Sequence, residues 1–232
     1  MSSAIDAIAS GLVVSCQAEQ GHPLHGPQFM AAMARAAAAA GAVGIRAEGA
    51  EDVAAVRAAT GLPVIGIRKI RYSGGQRLFI TPTYADAEQV VAAGASIVAT
   101  EGTARPRPDG QNLATLIRQI HDRLGVPVMA DVDSVESGLY AHRAGADLLA
   151  STLSGYTTDR AAAPDGPDID LVAALAAATP LPVVAEGRIW TPEHVSAALA
   201  AGAHAVVVGT AITNPLEITR RFVSALRTPT RK

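Results

Sequence analysis

The chain has 232 residues, with 19 basic and 21 acidic side chains giving a formal net charge of −2, and a mean hydropathy of +0.24. That balance leaves no electrostatic footprint for nucleic acid or an anionic membrane surface, and no apolar run is long enough to cross a bilayer. A lone cysteine, Cys16, excludes an internal disulfide and a thiolate metal cluster; the N-terminus "MSSAIDAIAS" lacks the basic-then-apolar order of a signal peptide, so the expected setting is the cytoplasm.

Short apolar runs alternate with alanine-rich helical stretches along the chain. "GLVVSCQ" predicts a first strand at 12–17, followed by a helix from Phe29 to Ala40. "AGAVGIRAEG" and "LPVIGIRK" predict strands at 43–48 and 63–69, and the long segment "IRYSGGQRLFITPT" then predicts a short extra strand at Leu78–Ile80. A fourth main strand at 96–101 precedes a helix from Asn112 to Leu124, and further strands follow at 127–132 and 147–152. "YTTDRAAAPDGPD" has no periodicity and reads as a loop able to gate a site. A helix from Leu171 to Ala178 and strands at 182–186 and 205–209 complete the series.

The strand openings repeat. "AGA" closes a helical stretch and opens an apolar run four times, at Gly41, Gly94, Gly145 and Gly202, spaced 53, 51 and 57 residues apart. Proline opens three others, in "LPVIGIRK", "VPVMADVD" and "LPVVAEGR". Glycine suits the left-handed residue that ends a helix, and proline, lacking an N–H, suits the first residue of a strand. Eight apolar strands alternating with helices predict a parallel sheet covered on both faces. The length fits a single-domain α/β fold, a (β/α)8 TIM barrel spanning 1–232, which typically takes ~250 residues. A doubly wound open sheet is the competitor, but "SCQAEQGHPLHGP" is not the glycine-rich turn such folds place after the first strand.

Barrel chemistry sits at the C-terminal strand ends. In order these carry Gln17, Arg46, Lys69, Glu101, Asp131, Ser151 with Thr152, Glu186, and Gly209 with Thr210. One charged residue at a strand end is ordinarily a solvated loop residue; polar tips on strand after strand predict a pocket rimmed by both signs of charge. Lys69 and Glu186, from the third and seventh strands, lie on opposite sides of that ring, which suits general acid–base work, particularly proton abstraction beside a carbonyl. Gly187, Gly209, Thr210 and Arg188 make the loops after the seventh and eighth strands a candidate phosphate site, served by backbone N–H groups, a helix N-terminus, a hydroxyl and a charge. The six histidines show no metal-binding spacing, so no metal is expected. His121, His142 and His194 fall on helices and His204 below the eighth strand; His25 lies near the top, where loop packing and substrate contact are equally good readings. Cys16 reads as a packed strand residue.

The segments "LVVSCQA", "PLHGP", "GAVGIRAEG", "PVIGIRK", "FITPT", "RPRPDG", "MADVDS", "STLSGYT", "PVVAEGRIWTPE" and "GAHAVVVGTAI" together resemble the N-acetylmannosamine-6-phosphate 2-epimerases of sialic acid catabolism. The resemblance implies a metal- and cofactor-free isomerase that interconverts N-acetyl-D-mannosamine 6-phosphate and N-acetyl-D-glucosamine 6-phosphate. The C2 proton would move after ring opening exposes the C1 aldehyde. By the same resemblance Lys69 and Glu186 carry the acid–base work: Lys69 handles the C2 proton and Glu186 assists ring opening or acts as the opposing acid or base, or the division is reversed. Gln17, Arg46 and Asp131 would orient the sugar and its open-chain oxygen, while Gly187, Arg188, Gly209 and Thr210 would hold the phosphate. The expected partner is a small phosphosugar, and the alanine-rich helix faces leave room for a homodimer.

Three positions depart from that family's pattern: Arg68, where an apolar or neutral residue precedes the lysine; Glu101, where aspartate is usual; and Asn214, where an arginine often follows "AIT". If that arginine helps neutralise the phosphate, its loss would either weaken binding or shift the duty to Arg188. Two rival readings use the same barrel. One is a phosphosugar lyase or synthase with Lys69 as a Schiff base; the other is a non-catalytic sugar-phosphate sensor, which would not need the intact acid–base pair.

Overall fold

The computed structural model describes residues 3–72, 77–157 and 166–227, and its strands begin where glycine and proline mark them. Gly41, Gly94, Gly145 and Gly202 all have φ between 96° and 106°, where a side chain would be strained. Each donates its N–H to the carbonyl three residues back, closing the preceding helix. Pro63, Pro127 and Pro182 contribute only carbonyls, which accept from the N–H groups of Ile45, Val98 and Leu149 on the neighbouring strands.

Eight parallel strands close into a barrel: β1 (Leu12–Cys16), β2 (Gly44–Glu48), β3 (Val64–Ile67), β6 (Ile97–Glu101), β7 (Val128–Asp131), β8 (Leu148–Ala150), β9 (Val183–Glu186) and β10 (Ala205–Val208), while β4 (Lys69–Tyr72) and β5 (Arg77–Ile80) form a separate antiparallel hairpin. Each barrel strand lies beside its neighbour in sequence, and β1 closes on β10. The helices are α1 (Ser3–Ala7), α2 (Pro27–Ala39), α3 (Ala50–Thr60), α4 (Tyr84–Ala92), α5 (Leu113–Leu124), α6 (Val135–Arg143), α7 (Ile169–Ala178), α8 (Pro192–Ala200), α9 (Thr210–Thr213) and α10 (Pro215–Arg227). Six of them start on a side-chain cap, from Thr83, Asn112, Ser134, Asp168, Thr191 and Asn214, which supplies an acceptor to an otherwise unpaired N–H.

Strand alternation divides the core in two. Inward residues such as Val13, Ile65, Ile97, Met129, Leu148 and Val184 fill the barrel. Outward residues such as Val14, Ile45, Val64 and Leu149 pack against Val56, Val90, Ile117 and Leu175 of the helices. Ile5 and Ile8, at and just after α1, join the inner core, and the His204 ring meets the Ile5 carbonyl at 3.0 Å, so α1 closes the bottom. Cys16 belongs to the outer core and is fully buried; burial first, and then Asp52, push its thiol up to about 12. The last helix differs from the rest. Its main contact is with α9, and Leu216, Phe222, Val223 and Leu226 stay exposed.

The structure corrects three boundaries. The third strand stops at Ile67 and not at Lys69, because Arg68 bonds in both directions to Thr81, whose φ of 45° turns the chain out of the barrel. The extra strand expected at Leu78–Ile80 is one arm of a hairpin whose other arm begins with Lys69. The sixth strand ends at Ala150, and Ser151–Leu153 form one 3-10 turn. Of the two long connections, residues 73–76 and 158–165 lie outside the described residues.

Candidate active site

Inward alternation continues above the apolar layer and changes chemistry there. On β2 it presents Arg46 and then Glu48; on β7, Asp131; on β9, Glu186; past β8, Thr152. Arg46 is 1% exposed and Asp131 0%, so their charges exist only because they meet. The guanidinium donates to both Asp131 oxygens, at 3.1 and 2.6 Å, and to Glu186 Oε2 at 2.6 Å. Thr152 Oγ1 lies 2.7 Å from Asp131 Oδ1 and 3.1 Å from Glu186 Oε2. The Ser151 hydroxyl accepts from the Glu186 N–H at 3.1 Å and donates to its carbonyl at 3.0 Å. Burial pushes the Glu186 carboxyl up to about 6 against the opposing pull of Arg46. Burial disfavours charge on Arg46 too, but Asp131 and Glu186 outweigh it and raise its pKa.

Lys69 opens the hairpin yet keeps the inward parity of Ile65 and Ile67. Burial lowers its pKa, and the Arg46 charge lowers it further, against Glu48, Glu19 and Glu186. Lys69 and Glu186 line one cavity of about 790 Å³, walled also by Gln17, Glu48, Leu78, Ile80, Thr152 and Trp190. The Gln17 amide nitrogen donates to Ser15 Oγ at 2.6 Å, and its Oε1 is buried with no hydrogen-bond partner among the described residues. Arg46 and Asp131 are not in the lining and stand behind Glu186.

Gly187, Arg188, Gly209 and Thr210 line the same cavity. Gly187 and Arg188 have successive positive φ values of 112° and 54°, a turn that glycine eases and arginine enters under strain. Two nitrogens of Arg188 donate to the Gly166 carbonyl at 2.8 Å and the Ser154 carbonyl at 2.7 Å, tying both stems of the β8–α7 connection to the site. After β10, the first helical bond runs from Ile212 N–H to Gly209, leaving the N–H groups of Thr210 and Ala211 ahead of the ladder. Asn214 also lines the cavity; its Oδ1 meets the His22 ring at 3.3 Å and caps Glu217 N–H at 3.1 Å.

The sequence profile described as "Putative N-acetylmannosamine-6-phosphate epimerase" matches residues 30–228. The chain belongs to the N-acetylmannosamine-6-phosphate 2-epimerase family. It is 50% identical over 225 residues to a relative from Cutibacterium acnes, covering 96% of each chain. It is 47% identical over 224 residues to one from Caldanaerobacter subterraneus subsp. tengcongensis, covering 96% of this chain and 94% of the other. The solved N-acetylmannosamine-6-phosphate 2-epimerase from Clostridium perfringens superposes with a TM-score of 0.91 at 38% identity, covering 95% of each chain.

Within this epimerase-family barrel, the departures at Arg68 and Glu101 leave the cavity alone. Arg68 points outward to Gln89 at 2.5 Å and Asp86 at 3.3 Å. Glu101, expected among the pocket tips, is instead gripped by Arg105, whose Nε and Nη2 each lie 2.6 Å from a carboxylate oxygen. His25 packs its loop, with its ring 2.9 Å from the Ala18 carbonyl. Sequence reasoning gave Glu48 and His22 no place in the cavity, and named Thr152 only as one of the polar tips of the pocket, without its bonds to Asp131 and Glu186. Glu48 was recoverable, because it continues the inward parity of its strand; His22 carries no such signal. Among the described residues, no group of His, Cys, Asp or Glu is arranged to hold a metal ion, and no helix is long and apolar enough to cross a membrane.

Proposed function

We propose that this chain is a sugar-phosphate 2-epimerase interconverting N-acetyl-D-mannosamine 6-phosphate and N-acetyl-D-glucosamine 6-phosphate. The observation that carries this reading is the pairing of Lys69 and Glu186 on one cavity, with the buried Arg46 acting on the protonation of both. Glu186, titrating near 6, is ionised at neutral pH, takes the proton of the C1 hydroxyl and passes it to the ring oxygen as the C1–O5 bond breaks. The C2 hydrogen then lies beside the C1 aldehyde and is acidic. Lys69, with its proton affinity lowered by burial and by Arg46, takes that proton as a general base. Negative charge moving to O1 is favoured at a distance by the Arg46 charge behind Glu186. Glu186, reprotonated from solvent, returns a proton to the other face of the planar C2 to give the epimer. Lys69, on the opposite side of the barrel, releases the proton that it took to solvent; the reverse reaction exchanges the two roles.

Gln17, with an unpaired buried oxygen, orients the sugar. Arg46 and Asp131 act through Glu186, fixing its position and charge. The backbone at Gly187, Gly209 and Thr210 receives the phosphate, with Arg188 supplying charge where Asn214 replaces an arginine. A phosphorylated sugar does not cross a bilayer unaided, so the cytoplasm is the setting that suits this substrate. The working form is a homodimer: the apolar face of α10 is exposed, and an apolar groove of about 440 Å³ bounded by Leu12, Val195, Val208 and Ile212 lies open on the barrel wall. A second copy can cover both, and sedimentation at micromolar concentration tests it.

The enzymatic test is proton exchange followed by NMR. In D2O, the wild-type protein should introduce deuterium at C2 as the epimer forms, and Lys69→Ala should lose this by ~10²–10⁴-fold, the range of a positioned acid–base group. Wild-type protein that forms no epimer and exchanges no C2 proton sinks the reading. Borohydride trapping of an adduct at Lys69 would favour the lyase alternative instead.

A further inference from the structure

Lys69 sits where the chain passes from one sheet to another, and its N–H is left over at the junction. The last rungs between β2 and β3 set Glu48 opposite Ile67, with Gly49 N–H donating to the Ile67 carbonyl at 2.8 Å. Arg68 then bonds to Thr81, its N–H to Oγ1 at 3.0 Å and its carbonyl to the Thr81 N–H at 2.7 Å. Antiparallel pairs alternate between bonded and unbonded. With Arg68–Thr81 bonded, the next pair, Lys69–Ile80, is unbonded, and the Lys69 N–H points away from β5. Glu48 Oε1 accepts it there, at 3.2 Å.

We infer that Glu48 is a positioning residue for Lys69, holding the lysine N–H where the chain leaves the barrel and opposing the charge of Arg46 at the amine. This role presupposes Lys69 as the C2 base. The amine senses Arg46 and Glu48 from β2, Glu19 from the β1–α2 connection and Glu186 from β9, with Glu48 the foremost carboxylate. Asp52 of α3 faces Glu48 in turn, with His25 and Glu51 near it. Two residues of one strand, spaced so that both point inward, thus set the lysine from opposite directions.

The test compares kcat/KM and kcat across pH for wild type, Glu48→Gln and Glu48→Ala, with C2 exchange as the readout. Lys69 works as the free amine, so activity rises with pH along a limb governed by its titration. Glutamine keeps an acceptor oxygen and drops the charge. The ammonium is then less favoured, so that limb moves to lower pH while plateau kcat is largely retained. Alanine drops both: the limb moves the same way, and plateau kcat falls by up to ~10²-fold, the scale of a 1 Å misplacement, with KM little changed. A limb that stays in place in Glu48→Gln, or wild-type kcat in Glu48→Ala, overturns the role. Should the alanine protein fail to fold, the glutamine limb decides alone. Exchange that survives Lys69→Ala removes the base itself and is a separate failure.

Discussion

Two arginine–carboxylate clusters stand at strand ends of similar height, since Glu101 and Asp131 are register partners, yet their surroundings differ. In the first, Arg46 crosses the barrel to Asp131 and Glu186, three inward side chains from three strands. In the second, Arg105 folds back four residues to Glu101, lies over the Phe79 ring at 4.7 Å and donates to the Leu78 carbonyl at 3.3 Å. Arg107 adds bonds to the carbonyls of Glu101 and Pro82. One cluster charges the cavity; the other fastens the hairpin that carries Lys69. A polar strand tip joins the chemistry when its partner comes from across the barrel, and becomes scaffold when its own loop supplies the partner.

The sharpest way to break that contrast is to remove each arginine. Arg46→Met leaves two buried carboxylates facing each other and should cost about 3–5 kcal/mol in denaturant unfolding, with loss of C2 exchange. Arg105→Met, where the arginine is 23% exposed, should cost ~1–3 kcal/mol and keep exchange measurable. Equal losses of stability and activity in the two variants would erase the distinction. A finer probe is Thr152→Val. The hydroxyl favours the ionised form of Glu186, so without it the carboxyl titrates above about 6 and the pH limb it governs moves upward. A lost hydrogen bond worth ~1 kcal/mol implies a ~5-fold lower rate on the acid limb, near pH 5, and a fall of less than ~2-fold at neutrality. An unmoved limb would show that Thr152 serves only Asp131.

The smallest effect concerns Asp52, a carboxylate that meets Glu48 and, among the described residues, no arginine ion-pair partner. Burial first, and then Glu48, push it up to about 6. A folded-state value above the unfolded one means that the native protein binds more protons. The contribution to stability is therefore present below about pH 4 and lost as pH rises through 6. Asp52→Asn should flatten that decline by on the order of 1 kcal/mol, read from urea unfolding at pH 4, 5 and 6. Glu186, raised in the same direction, leaves a residual slope. A slope identical to wild type would place the raised carboxyl elsewhere.

The barrel was legible because its signals are local. "AGA" and proline mark strand entrances by backbone chemistry alone, and the ring of polar tips follows from alternation. Lys69 and Glu186 were therefore brought to one cavity by pattern. The exit of the chain at Arg68 was not legible, because it depends on Thr81, thirteen residues on, adopting a left-handed turn. Nor was the capture of Glu101, since either a loop arginine or a cavity could have received that carboxylate. The exposure of the α10 apolar face was hidden as well, because an amphipathic helix reads alike whether that face packs on its own barrel or stays exposed.

Cys16 carries a practical consequence. With the sulfhydryl sealed behind β1 and ionising only near 12, about one molecule in 10⁵ presents a nucleophilic sulfur at pH 7. Maleimides and peroxide should pass it by. A single engineered surface cysteine would then be the sole reactive handle, allowing a fluorophore or spin label to be attached to the hairpin or to α10 without first deleting the native one.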